Sequence, residues 1–232
     1  MSLTDEQLIA YHTNGFVLIP DVFPVSELDE MNIELDRVVS ENLEKGNPVN
    51  APSSGWLLQL GLLSEKTAAF CEDSRILNLV EDIVKPGIAI YSAKLVSKEP
   101  FESSICHWHQ DNAYYDKTCP SDTRMSVWIP LEESTREQGC LQVIPGSHKG
   151  GLQSFSHKEG GTCNLSVDTE IALADRVYLP AKAGDMVLFS ALLQHASDGN
   201  RTDKRRRAFI ISYQEATVGL GNGEQYKVLR QA

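Results

Sequence analysis

The chain has 232 residues, 41% of them hydrophobic, and its 32 acidic and 21 basic residues give a formal net charge of −11. This length suits one large domain with a substantial core, and the acidic balance argues against broad binding to nucleic acids or anionic membranes. No apolar run approaches the roughly 20 residues that span a bilayer, and the first residues lack the basic and apolar regions of a signal peptide, so we expect a cytoplasmic protein.

The first part of the chain carries signals for helices. Thr4 and Gln7 have the spacing of a capping box, which predicts a helix that ends near Gly15. A short β-rich run follows at 16–19, and apolar residues at helical spacing then predict an amphipathic helix over 25–43.

A turn-rich stretch separates these elements from the next helix. Residues 44–56 are rich in Gly, Pro and Ser, which predicts a long loop and one candidate for a lid. Asp73 and Ser74 can cap another helix, which should end near Pro86. The helical N-terminal part therefore extends over about residues 1–86.

From Ile88 onward, short β-rich runs alternate with turn residues, which predicts a sandwich or barrel-like roll over about 87–215 within a single domain. The insert at 148–175 is a second candidate for covering one mouth of this roll. The predicted strands are Ile88–Ser97, Arg124–Leu131, Cys140–Pro145, Arg176–Leu179, Met186–Ser190, a short strand at His195, and Arg207–Gln214.

The five cysteines form no CxxC pair, and their number is odd. Neither a disulfide framework nor a structural zinc site is expected from such a pattern. We therefore predict buried, reduced thiols. The residues concerned are Cys71, Cys106, Cys119, Cys140 and Cys163.

The sequence around His109 and Asp111 carries the main chemical signal. In an extended segment, alternate side chains leave on the same face, so these two residues can point together while Gln110 points away. A further imidazole, for which His195 is the candidate, would complete a set of two His and one carboxylate that suits non-haem Fe(II). The spacing by itself is weak evidence, because a partly buried His–Asp hydrogen bond is the commoner outcome.

Several motifs occur in a fixed order along the chain. Over about Leu8 to Tyr213 the sequence resembles the phytanoyl-CoA dioxygenase family. The matching segments are Gly15–Pro20, His109–Asp111, Val127–Leu131, Gly139–Lys149, Ala183–Phe189, His195–Ser197, Asn200–Thr202 and Arg206.

This resemblance implies a mainly β fold with flanking helices, namely a double-stranded β-helix, the jelly-roll of cupin-like proteins. It also implies an Fe(II)- and 2-oxoglutarate-dependent dioxygenase that consumes O2. Carried over residue by residue, the iron ligands are His109, Asp111 and His195.

The resemblance further implies residues that bind the cosubstrate. Arg206 is the expected partner of the distal carboxylate of 2-oxoglutarate, because a guanidinium offers a carboxylate two parallel hydrogen bonds. Arg205 and Arg207 are the alternative candidates. Because successive side chains of a strand point to opposite faces, either Arg206 alone or the other two arginines point to the interior. Ser197 matches a position that can hydrogen-bond the cosubstrate, and Trp128 matches one that lines its pocket, although a core aromatic is the alternative for Trp128.

Some further residues leave alternatives open. Lys94 is a candidate for binding the cosubstrate or an acidic substrate, although a solvated lysine at a sheet edge is as compatible with the sequence. Tyr114 and Tyr115 line a substrate channel or pack at the rim, and Asn112 is a candidate for orienting Asp111. His107 is expected beside the metal ligands rather than among them.

The implied reaction is hydroxylation or desaturation of a small-molecule metabolite, with release of succinate and CO2. In the family, a carboxylate at the position of Asp111 argues against halogenation. Two alternatives remain open at this point: a cupin-like metal enzyme that does not use 2-oxoglutarate, and a non-catalytic β-roll that binds a small ligand. A monomer or a homodimer is equally compatible with the sequence.

Overall fold

A computed structural model describes residues 1–44, 56–58, 63–115, 121, 123–159, 161–218 and 227–232. The predicted lid at 44–56 lies almost entirely outside these residues, as does Cys119. Within the described part of the chain, no helix is both long and apolar enough to cross a membrane.

The first helix has the predicted ends. Helix α1 (Asp5–Asn14) begins after Thr4, whose hydroxyl accepts a hydrogen bond from the Gln7 N–H while the Gln7 side chain accepts from the Thr4 N–H. Gly15 ends the helix with φ of 86°, in the left-handed region that favours glycine. The capping box is therefore confirmed.

Three further helices among the described residues cover one face of the protein. They are α2 (Val25–Glu44), α3 (Glu65–Cys71) and α4 (Ser74–Val80). Helix α2 buries Leu28, Leu35 and Val38 along one stripe, as its periodicity predicts. Helix α3 was not predicted, because seven residues are too few for a clear periodic signal. Helix α4 also ends earlier than the prediction near Pro86.

The larger of the two main sheets has seven strands and packs against these helices. The strands are β1 (Phe16–Ile19), β2 (Trp56–Leu58), β3 (Ile88–Lys98), β5 (Met125–Pro130), β11 (Met186–Ser190), β13 (Arg206–Gln214) and β14 (Lys227–Arg230). Their order in the sheet is β1-β11-β5-β13-β3-β14, and β2 also pairs with β3.

The smaller main sheet has five strands in the order β10-β6-β12-β4-β8. Its strands are β4 (Ile105–His109), β6 (Leu141–Val143), β8 (Gly161–Cys163), β10 (Val177–Leu179) and β12 (His195–Ser197). Strands β7 (Phe155–His157) and β9 (Leu165–Val167) form a separate antiparallel pair. This is the predicted jelly-roll, with two sheets that enclose a cavity.

Strand pairing brings together residues that are far apart in the sequence. His195 of β12 lies directly opposite His109 of β4, and Arg206 at the start of β13 lies opposite Lys98 of β3. Each sheet therefore contributes polar side chains to the space between the sheets. The insert at 148–175 supplies β7, β8 and β9, and β8 runs parallel to β4 rather than lying only over a mouth.

The prediction of reduced thiols is wrong for two of the cysteines. Cys106 of β4 and Cys163 of β8 form a disulfide with a Cα–Cα distance of 4.8 Å. Their separation of 57 residues explains why spacing gave no signal, since only the pairing of the two strands brings them together. Cys71 and Cys140 are buried free thiols, as predicted.

Candidate metal centre

One cavity between the two main sheets collects all seven residues that the sequence singled out for the site. Its empty space of about 420 Å³ includes the part that opens to solvent. The predicted residues in its lining are Lys94, His109, Asp111, Trp128, His195, Ser197 and Arg206. The remaining lining is mostly apolar and comprises Val96, Cys106, Leu141, Phe189, Ala196 and Ile210.

Two imidazoles and one carboxylate converge at one end of this cavity. The Asp111 Oδ1 atom lies 3.7 Å from His109 Nε2 and 3.8 Å from His195 Nε2. Ligand atoms on adjacent corners of an octahedron, each about 2.1 Å from an ion, are about 3 Å apart. A small closure of the three side chains would therefore hold a divalent ion, and two His with one carboxylate match non-haem Fe(II).

The backbone fixes both imidazoles in the form that a metal requires. His109 Nδ1 lies 2.7 Å from the His107 carbonyl, and His195 Nδ1 lies 2.9 Å from the Leu193 carbonyl. Each Nδ1–H can donate to its carbonyl, which leaves Nε2 with a lone pair directed at Asp111. Burial lowers the pKa of His195 to about 3, so this imidazole is neutral at ordinary pH.

Asp111 is held as a carboxylate by its neighbours. It begins a short 3₁₀ helix (Asp111–Tyr114) directly after the extended Gln110, so the extended segment ends one residue earlier than predicted. Burial alone would raise its pKa, but the charge of Lys94 holds that pKa well below the usual value. Lys94 Nζ lies 3.6 Å from Asp111 Oδ1.

Ser126, which the sequence did not single out, orients this carboxylate. Its hydroxyl donates to Asp111 Oδ2 at 2.5 Å, which leaves Oδ1 to face the two imidazoles. We expect Ser126→Ala to weaken Fe(II) binding by about tenfold or more, the effect typical of losing a hydrogen bond to a metal ligand. Anaerobic equilibrium dialysis against Fe(II) would measure this change.

Ser134→Ala is the matched control for this prediction. Ser134 is also fully buried, but its hydroxyl has no hydrogen-bond partner within the described residues. Equal Fe(II) affinity in the Ser126 and Ser134 variants would contradict an orienting role for Ser126.

Arg206 lies at the other end of the cavity with unused hydrogen-bonding capacity. It is 2% exposed, and its Nη2 donates to the Gly139 carbonyl. Its Nε and Nη1 are buried without a hydrogen-bond partner among the described residues. Burial lowers the pKa of Arg206 to about 10, so it remains a cation at neutral pH. A carboxylate would satisfy such a guanidinium, which is the fit expected for the distal end of 2-oxoglutarate.

The rival arginines are engaged elsewhere. Arg205 and Arg207 both form ion pairs with Asp36 and Glu132 on the outer side of the sheet. Their alternation with Arg206 follows from the period of two in a strand. The structure therefore brings Arg206, and neither neighbour, into the cavity.

Lys98 adds a second buried basic group near Arg206. Its ammonium donates to the Ser104 carbonyl at 2.9 Å, and its side chain is fully buried. Burial, with a contribution from the charge of Arg206, lowers the pKa of Lys98 to about 7. Trp128 lies on the other side of Arg206, with its ring centroid 5.6 Å from the guanidinium carbon. This end of the cavity is therefore suited to an anion.

Gln110 points away from the cavity, as predicted, and connects three segments. Its amide nitrogen donates to the carbonyls of Leu192 at 2.6 Å and Gly151 at 2.9 Å, and its oxygen accepts from the Gln153 N–H at 2.8 Å. These bonds tie the strand end that carries His109 to the loop before His195. A buried glutamine that makes three such hydrogen bonds holds the connected backbone segments in one arrangement.

The two tyrosines after the metal ligands have different environments. Tyr114 is 41% exposed, its ring meets His109 edge-on and its hydroxyl accepts from the Leu165 N–H. Tyr115 is buried against Tyr91, and its hydroxyl bonds to Ser212. Of the two, Tyr114 is therefore the residue that a substrate can reach.

Two polar neighbours of the cluster have hydrogen-bond partners of their own. The Asn112 side chain accepts from Arg124 at 2.8 Å. The His107 ring lies 3.4 Å from the Glu159 carbonyl of the insert, and it is the backbone carbonyl of His107 that supports His109.

Comparison with known proteins decides the family. Residues 11–208 match the phytanoyl-CoA dioxygenase (PhyH) family, which is most of the chain. The chain belongs to this family. Peroxisomal phytanoyl-CoA dioxygenase of Homo sapiens is 29% identical over 234 residues, which cover 92% of this chain and 69% of that protein.

Another PhyH relative is a probable alpha-ketoglutarate-dependent hypophosphite dioxygenase of Stutzerimonas stutzeri. It is 25% identical over 244 residues, which cover 97% of this chain and 84% of that protein. Among solved structures, the apo form of the non-heme monooxygenase ThoJ has a TM-score of 0.82 at 22% identity and covers 97% of this chain and 83% of its own. This structural likeness supports the jelly-roll fold.

Membership of the PhyH family fixes the class of enzyme and its cofactors. The chain is an Fe(II)- and 2-oxoglutarate-dependent dioxygenase, which uses O2 as its oxidant. The His–Asp–His cluster and the unpartnered guanidinium of Arg206 fit these cofactors on their own chemistry. The two relatives described above are a phytanoyl-CoA dioxygenase and a probable hypophosphite dioxygenase, and a small-molecule substrate is consistent with these names.

Proposed function

We propose that this PhyH protein hydroxylates a small-molecule metabolite, with His109, Asp111 and His195 as the ligands of Fe(II). One observation carries the proposal: a two-His, one-carboxylate cluster and a buried guanidinium with unsatisfied donors share one cavity. When bound, Fe(II) and 2-oxoglutarate supply O2 activation coupled to the formation of succinate and CO2.

Three other residues of the cavity bind 2-oxoglutarate in this proposal. Arg206 binds the distal carboxylate of the cosubstrate, and Ser197 and Trp128 contact the same molecule from β12 and β5. Ser197 lies two residues after His195 on β12, and both residues line the cavity. This placement supports a contact between the Ser197 hydroxyl and 2-oxoglutarate near the metal. Trp128 closes the cavity beside the guanidinium of Arg206.

The apolar part of the cavity keeps water from the reaction. Leu141, Phe189 and Ile210 line the space between the polar ends, and Phe189 packs against His195 with ring centroids 4.9 Å apart. Exclusion of water protects a reactive oxidant from side reactions and strengthens the electrostatic contacts inside. Hydroxylation or desaturation of one C–H bond is the outcome that this environment supports.

The identity of the metabolite, the compartment and the assembly stay predictions. We infer action in the cytoplasm as a monomer or homodimer, although the Homo sapiens relative is peroxisomal.

Anaerobic titration of the Fe(II)-loaded protein with 2-oxoglutarate tests the proposed function. We expect a weak visible charge-transfer band that saturates at one equivalent of bound 2-oxoglutarate and is absent in Asp111→Ala. Iron binding without any such band would instead indicate a cupin-like enzyme that does not use 2-oxoglutarate. Absence of iron binding would contradict the metal assignment as well.

A further inference from the structure

Two sulfur atoms lie beside one of the proposed iron ligands. The Cys106 Sγ atom is 3.5 Å from His109 Nδ1 and 4.0 Å from His109 Nε2, and Cys106 also lines the cavity. Its disulfide partner Cys163 is buried on the neighbouring strand β8. One ligand atom from each of these three side chains lies within 4.8 Å of the other two. His109 therefore belongs to two groups of potential metal ligands.

The disulfide keeps this second group from binding a metal ion. Thiolates are the ligands that metals bind, and the S–S bond occupies both sulfurs. A dithiol reductant opens the bond by exchange: its own two thiols become a disulfide, and Cys106 and Cys163 each receive one hydrogen atom. Thiols are kept reduced in the cytoplasm, the compartment inferred above, so the open form is the one expected there.

Strand pairing holds the two cysteines together without the S–S bond. Cys106 and Cys163 are partners in the parallel pair of β4 and β8, with a Cα–Cα distance of 4.8 Å that is usual for paired strands. Two sulfur ligands of one tetrahedral Zn(II) lie about 3.8 Å apart, because each Zn–S bond is about 2.3 Å long. Rotation about the two Cα–Cβ bonds opens such a gap without any movement of the backbone.

The distance to His109 suits the same ion. A thiolate and an imidazole on one tetrahedral Zn(II) lie about 3.6 Å apart, since their bonds to the ion are about 2.3 Å and 2.1 Å long. Cys106 Sγ and His109 Nδ1 already lie 3.5 Å apart. Two thiolates and one imidazole make three of the four ligands that Zn(II) prefers, and water in the cavity that Cys106 lines supplies the fourth.

An ion bound at Nδ1 takes His109 away from the iron site. In the disulfide form, Nδ1–H donates to the His107 carbonyl at 2.7 Å, which leaves the Nε2 lone pair for a metal beside Asp111. A neutral imidazole has one N–H group and one lone pair. Zn(II) at Nδ1 therefore places the N–H group on Nε2, and that nitrogen can no longer bind Fe(II).

We propose that the reduced chain holds Zn(II) between Cys106, Cys163 and His109, and that this ion excludes Fe(II) from the cavity. Formation of the disulfide releases His109 to the iron site. The zinc site itself is independent of the proposed function, whereas its effect on Fe(II) rests on His109 as an iron ligand.

The first test uses Co(II), which replaces Zn(II) at such sites and absorbs strongly in the near ultraviolet when thiolates bind it. The full chain is compared in its disulfide form and after anaerobic reduction with a trialkylphosphine, which is then removed. We expect the reduced wild type to gain a thiolate-to-Co(II) band that Zn(II) abolishes, and the disulfide form to show none. Equal spectra of the two forms would overturn the inference, and this comparison needs no variant to fold.

Three variants locate the ligands of Co(II). Cys163→Ala should weaken Co(II) binding to the reduced chain by about a hundredfold or more, since losing even a neighbour of a metal ligand costs about 10- to 100-fold. Cys71→Ala removes a buried free thiol outside the group and should behave like the wild type. Asp111→Ala removes a proposed iron ligand only, so the thiolate band should persist. A band that Cys163→Ala leaves unchanged would belong to other cysteines and contradict the site.

The second test measures competition between the two ions. Fe(II) and 2-oxoglutarate are kept at constant concentration without O2, and Zn(II) is added while the charge-transfer band of the iron site is followed. Zn(II) can also bind His109, Asp111 and His195 directly, so the disulfide form provides the baseline. We expect half of the band to be lost at a Zn(II) concentration about tenfold or more lower in the reduced chain.

The remaining outcomes separate this inference from the proposed function. Equal Zn(II) midpoints in the two forms would overturn the exclusion of Fe(II) through His109. If the iron-loaded disulfide form gives no charge-transfer band at all, the proposed function fails, while the Co(II) spectra still decide whether the zinc site exists.

Discussion

Alanine at position 111 or 109 is expected to abolish iron-dependent turnover, with a loss well above a hundredfold. Losing even a hydrogen-bonded neighbour of a metal ligand costs about 10- to 100-fold, and losing a ligand itself should cost more. In Asp111→Ala the two imidazoles also lose the carboxylate that lies within 3.8 Å of each. Succinate release and anaerobic Fe(II) dialysis would measure both effects.

A variant at an exposed histidine provides the control. His157 lies on β7 with its side chain in solvent, so His157→Ala should keep full iron binding and activity. Asp111→Asn keeps the shape of the side chain and tests whether any loss arises from altered packing around Lys94. Unchanged turnover in a correctly folded Asp111→Ala or His109→Ala protein would overturn the metal assignment.

Arg206→Met is expected to raise the concentration of 2-oxoglutarate needed for half-saturation by about a hundredfold. Removing one partner of a buried, hydrogen-bonded ion pair typically costs about 2–5 kcal/mol. The free protein should not lose stability in proportion, because two nitrogens of this guanidinium are already buried without partners. The measurements are the charge-transfer titration and the thermal melting temperature with and without 2-oxoglutarate.

Arg205→Met separates the local effect of Arg206 from a general loss of positive charge on β13. The Arg205 side chain faces Asp36 and Glu132, outside the cavity, so the 2-oxoglutarate midpoint should stay near the wild-type value. A large shift in Arg205→Met together with a normal midpoint in Arg206→Met would contradict the assignment of the distal carboxylate to Arg206.

Local patterns in the sequence predicted much of the fold. The capping box at Thr4, the stripe of α2 and the alternation that turns Arg206 inward are properties of a few neighbouring residues. Predictions from such local patterns hold in the folded protein because backbone geometry sets the direction of each side chain. Strand bounds were mostly within one or two residues, as Met186–Ser190 illustrates.

Features that depend on contacts between distant segments were missed. Ser126 contacts Asp111 only because folding brings β5 next to the start of the 3₁₀ helix, and no sequence spacing predicts that contact. The bonds of Gln110 to two distant loops and the Cys106–Cys163 disulfide depend likewise on how the strands pair. Seven-residue helix α3 was too short for its periodicity to be read.

The sequence by itself determined the chemical types at the site: two imidazoles, one carboxylate and one inward guanidinium, in the order of the PhyH family. Only the tertiary structure decided their relations in space, because sheet pairing places His195 opposite His109 and sets Lys94 beside Asp111. The electrostatic environment of the cavity is likewise a property of the packed sheets. It depends on which ionisable groups share one buried space, and no single segment of the chain contains that information.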